Sequence, residues 1–71
     1  MINLLREQNL KLISEYEESN NHKLVTKHRI IEQLLKDDHC FEKLDIQKSY
    51  EILKSLGVKD WKEVYIQLLS K

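Results

Sequence analysis

Leu53-Lys54-Ser55-Leu56-Gly57-Val58-Lys59-Asp60-Trp61-Lys62-Glu63 is a stretch in which one helix stops and another starts within a few residues. Gly57 is the only glycine in the chain, and glycine takes the left-handed conformation that closes a helix C-terminus without steric cost. With Gly57 as the first residue past the helix, Val58 stands where a Schellman cap places an apolar contact, against Leu53 in the last turn. Asp60 with Glu63 three residues on is an aspartate form of the capping box, which satisfies free N–H groups and sets negative charge at the positive end of the next helix. Two helices therefore meet at a tight corner, and the class that follows is all-α.

On the N-terminal side of the corner, Asp45 can cap a helix with Ile46, Ser49, Tyr50, Ile52, Leu53 and Leu56 on one side and Gln47, Lys48, Glu51 and Lys54 on the other. On the C-terminal side, Trp61, Val64, Tyr65, Leu68 and Leu69 recur at spacings of three and four, and Trp61, Tyr65 and Leu68 are expected in the core. Ile66 falls about 60° beyond the edge of that stripe, with Lys62 between stripe and rim.

Further upstream, Ile2, Leu5, Leu12, Ile13 and Tyr16 form one stripe of a first helix over residues 2–19, with Asn9 inside it. An asparagine at a core position fixes register in coiled coils. With only about two heptads, packing inside the same domain is favoured, and Asn9 is expected to bond to a neighbouring helix or water. Ser19-Asn20-Asn21-His22 is turn chemistry. A second helix over residues 23–36 spreads Leu24, Ile30, Ile31, Leu34 and Leu35 across one broad face, which leaves Val25 displaced among polar residues and flanked by Arg29. Glu15, Glu17 and Glu18 at the end of one helix and Lys23 and Lys27 at the start of the next oppose the helix dipoles. An antiparallel hairpin would set the acidic end beside the basic end and offset that cost; a charged docking surface is the other reading. Asp38 is expected to cap a connector helix over residues 38–44, with Phe41 and Leu44 inward.

The expected architecture is a small antiparallel helical bundle of about four helices with short corners, plus the connector, in a single domain over residues 1–71. A chain this short buries only about 60% of its unfolded surface, so a homodimer is one route to added burial. One cysteine, Cys40, permits no intrachain bridge and points to a reduced, cytoplasmic protein. Neither a secretory signal nor a membrane span is legible. The absence of proline and alanine points to AT-rich coding DNA, hence a bacterial or phage source.

Twelve basic and twelve acidic residues give zero formal net charge, which argues against a dedicated nucleic-acid binder, whose basic excess neutralises phosphates. The Gly57 corner has the glycine and flanking Leu56, Val58 and Ile66 of a DNA-binding helix-turn-helix. Leu53 stands where such a unit wants a small residue, however, and Glu63 where it buries an aliphatic one. His22, His28, Asp37, Asp38, His39 and Cys40 include the zinc-ligating types without the paired spacing of a structural site, and neither a cofactor nor a metal is expected. No phosphate loop or nucleophile elbow is present, so the expectation is not an enzyme. What is left is a protein-interaction module, a small regulator, inhibitor, antitoxin or immunity-type protein, with Val25, Arg29, Lys62 and Ile66 as the candidate partner-binding rim. The alternative is a DNA-binding transcriptional regulator using the Gly57 corner.

Overall fold

The computed structural model describes residues 2–70. Five helices follow one another there with no strand: α1 (Ile2–Glu18), α2 (His22–Leu35), α3 (Cys40–Lys43), α4 (Ile46–Ser55) and α5 (Trp61–Leu69). The expected small helical bundle is the observed fold, with α3 as the connector. α1 and α2 form the most extensively packed pair, and α5 lies against α3 and α4. One apolar cluster draws on all five helices: Ile2 and Leu5, Ile31 and Leu35, Cys40 and Phe41, Ile52, Leu53 and Leu56, and Leu68.

The corner after α4 is a Schellman cap. Gly57 has φ +81°, its N–H donates to the Lys54 carbonyl at 3.0 Å, and the Val58 N–H donates to the Leu53 carbonyl at 3.1 Å, which satisfies two carbonyls the helix leaves free. Val58 packs against the core. Asp60 takes the N-cap position of α5 but makes no side-chain cap bond. The expected capping box therefore does not form. Trp61 instead fastens the corner from within, meeting Tyr50 edge-on with ring centroids 4.7 Å apart.

The α1–α2 turn follows its asparagines. Asn20 takes a left-handed φ of 58°, and the Asn21 side chain accepts from the Leu24 N–H. Of the opposed charges, Glu17 accepts from Arg29 across the hairpin at 2.7 Å, whereas Lys23 and Lys27, the expected partners of the acidic end, line a groove on another side of α2. Asp45 caps α4 as expected, accepting from the Lys48 N–H at 2.7 Å. At α3 the N-cap position falls to His39 rather than the expected Asp38 and has no side-chain cap bond; the Asp37 carboxylate accepts from the His39 N–H at 2.9 Å and closes the turn before the helix.

The phase of α2 departs from expectation. Its inward residues are Val25, His28, Ile31, Glu32 and Leu35, an arc turned by roughly a quarter turn from the centre of its apolar residues. α1 explains the rotation by supplying partners for His28 and for one carboxylate oxygen of Glu32, whose Oε2 finds none among the described residues. Asn9, fully buried, donates from Nδ2 to the His28 carbonyl at 2.9 Å and bonds His28 Nδ1 through Oδ1 at 2.8 Å. Arg6 reaches Glu32 Oε1 with two nitrogens at 3.2 and 3.3 Å. Buried polar groups with partners cost little, so they can occupy the interface. Val25 is carried inward with them to 6% exposure, while Ile30 is turned out to 59%.

Candidate functional site

Of the four residues expected to form a binding rim, two on α2 are taken up within the fold and two on α5 are exposed. Val25 is buried against α1, which overturns its expected exposure, and Arg29 is engaged by Glu17. Lys62 and Ile66 are exposed on α5, Ile66 at 61%, as its displacement from the stripe implied. Leu69, expected on the inner stripe, is also exposed, at 40%, so an apolar pair three residues apart lies on the outer side of α5.

A well-defined concavity lies elsewhere. A groove of about 340 Å³ runs between α2 and α4. α2 contributes Lys23, Thr26, Lys27, Ile30, Ile31 and Leu34, which all fall on one side of the helix, and α4 contributes Lys48, Glu51, Ile52 and Ser55. Ile31 and Ile52 belong to the core and floor the groove; Leu34 packs against that core, and Ile30 stands open to solvent. Three lysines face one glutamate along its walls, and among the described residues no ion pair joins those lysines to a carboxylate. α2 also has no acidic residue in its first turn, so Lys23 adds to the positive end of the helix dipole rather than offsetting it.

The signal for this groove in the sequence is the width of the apolar arc on α2. Leu24, Ile30, Ile31, Leu34 and Leu35 cover more of the circumference than one neighbouring helix needs. The rest of the arc becomes visible only once His28 and Glu32 are recognised as buried partners of Asn9 and Arg6.

Groups with chemical potential are otherwise structural. His28 is 1% exposed, stacks at a tilt on Tyr16 with ring centroids 5.3 Å apart, and has its pKa lowered by burial and by nearby Lys27. Because the Asn9 amide nitrogen donates to a carbonyl, its Oδ1 accepts, and His28 carries its proton on Nδ1. A smaller hollow of about 230 Å³ is bordered by Asp37, Cys40 and Lys43. There Lys43 donates to Asp37 at 2.6 Å, which holds the Asp37 carboxyl below and the Lys43 amine above their ordinary values. Cys40, in no disulfide, is 3% exposed. Among the described residues, no group of three or more His, Cys, Asp or Glu is placed to hold a metal ion, and no helix is long and apolar enough to cross a membrane.

In comparisons with known proteins, the chain matches no family model, no curated protein and no solved structure.

Proposed function

We propose that this chain is a small cytoplasmic protein-interaction module, a regulator, inhibitor, antitoxin or immunity-type protein that acts by binding a protein partner, and that the α2–α4 groove rather than Val25 and Arg29 makes the contact. One observation carries the reading. Ile30 is 59% exposed beside a groove floored by core residues and rimmed by lysines that have no ion-pair partner among the described residues. An apolar centre with a charged, solvated rim is the common anatomy of a protein interface.

The test is affinity purification of the tagged chain from its own host, with quantitative mass spectrometry, beside the Ile30→Glu variant. A protein recovered in stoichiometric amount with the parent and lost with the variant supports the reading. If no protein is retained, and the chain instead retards duplex DNA in a mobility assay that salt abolishes, a DNA-binding regulator replaces it.

A further inference from the structure

We infer that the occupant of the α2–α4 groove is an acidic amphipathic helix of a partner protein. The inference deepens the interaction reading above and rests on it.

The shape of the site comes first. Both walls are helices, and a trough between two helices receives a third helix, which lays apolar residues at spacings of three and four onto the floor. The α2 wall runs from Lys23 to Leu34, so at about 1.5 Å per residue the groove accommodates roughly three helical turns. Ile30 and Leu34, four residues apart on that wall, provide the apolar surface for such a stripe.

Charge then selects the occupant. Lys23 and Lys27, also four apart, and Lys48 on the opposite wall outnumber Glu51, and Lys23 stands in the first turn of α2, which has no carboxylate. Glutamates flanking an apolar stripe would meet the lysines and relieve the repulsion that the isolated chain leaves in place.

A second copy of this chain is a poorer match, because the exposed Leu4 and Leu10 of α1 stand six residues apart, roughly 120° around the helix, and form no continuous stripe. The acidic end of α1 belongs to a helix whose Ile2, Leu5 and Asn9 are buried in its own hairpin. The exposed pair Ile66 and Leu69 is flanked by Lys62 as well as Glu63, which brings no net negative charge to the groove.

The experiment uses two synthetic helical peptides of about fourteen residues, enough to cover the groove. They share one leucine stripe and carry either glutamates or lysines at the same flanking positions. Fluorescence anisotropy at low salt is expected to show the acidic peptide binding at least about tenfold more tightly, with the advantage shrinking as salt rises. Amide shift changes should follow Ile30, Leu34 and Ile52. The Lys23→Glu/Lys27→Glu variant, changed only at exposed positions and checked for parental helicity by circular dichroism, should lose that preference.

Equal binding of the two peptides, shifts centred on Ile66, or a dimer that Ile30→Glu dissolves would each overturn the acidic helical occupant. If neither peptide binds while Ile30-dependent capture of a partner persists, the occupant is wrong and the interaction reading stands. If capture fails, both fall together.

Discussion

Asn9 and His28 form a closed pair in the buried centre of the α1–α2 hairpin: the asparagine amide donates to the histidine backbone carbonyl and accepts from the histidine ring. Both side chains are essentially without solvent contact, so each is the other's replacement for water. Removing one partner strands the other. Asn9→Leu is expected to cost about 1–3 kcal/mol, whereas adding His28→Leu should recover part of that loss, because an apolar pair leaves no unsatisfied group. Chemical denaturation of the two single variants and the double variant measures the coupling; strict additivity would mean the bonds contribute nothing to stability.

The same burial fixes a pH dependence. The His28 pKa is lowered from its ordinary 6.5 by burial and then by Lys27, so as pH falls the unfolded chain takes up this proton first. The stability associated with the neutral ring is complete above about 6.5, declines below it, and is fully lost once the folded-state pKa is passed. An NMR titration should place the His28 ring midpoint below 6.5, the ordinary value. The thermal melts of His28→Gln should lack this component of the decline.

Much of the fold is legible residue by residue because local chemistry writes it. Gly57 marks the stop of α4, Asp45 its start, and Asn20 and Asn21 the reversal before α2, each through a backbone requirement that few residue types meet. The orientation of α2 is not local. Its apolar residues average to one direction, and the buried arc points in another because Asn9 and Arg6, distant in sequence, make His28 and Glu32 buriable. Hydrophobic periodicity assigns polar residues to the outside and has no means of crediting a partner on another helix. The same error of phase hides the groove residues; on α5, Ile66 is exposed as its displacement implies, while Leu69, at the edge of the expected inner stripe, is exposed as well.

Ser49 offers a test in the stabilising direction. It lies fully buried on the inner side of α4, and its hydroxyl has no hydrogen-bond partner among the described residues. Alanine removes the unsatisfied group, keeps the small side chain and has a higher helix propensity. Ser49→Ala is therefore expected to gain about 1 kcal/mol in denaturant unfolding. A loss would show that a water or a transient bond satisfies the hydroxyl in solution.

For Gly57, a Cβ added at the position would meet nothing within 4 Å, so any penalty comes from the backbone alone. At φ +81° an alanine is strained, and Gly57→Ala should cost about 1–2 kcal/mol, with Gly57→Asn milder because asparagine tolerates this region. Thermal melts of both variants decide it. An alanine variant as stable as the parent would show that the corner can close without a left-handed residue.

Glutamate substitutions at Val25 and Ile66 separate the two halves of the rim expected from sequence. Val25 is 6% exposed and Ile66 61%. A carboxylate at Val25 would be driven into the hairpin beside the buried Asn9 and His28 layer, with no cation supplied for it. Val25→Glu should destabilise by on the order of 3 kcal/mol or unfold the chain outright. At Ile66 the carboxylate stays in water on the outer side of α5, and Ile66→Glu should shift stability by less than about 0.5 kcal/mol. Circular dichroism melts of the two variants give opposite expectations for two substitutions of similar chemistry. If Val25→Glu melted with the parent, the quarter-turn rotation of α2 would be wrong, and the groove between α2 and α4 would have to be redrawn with it.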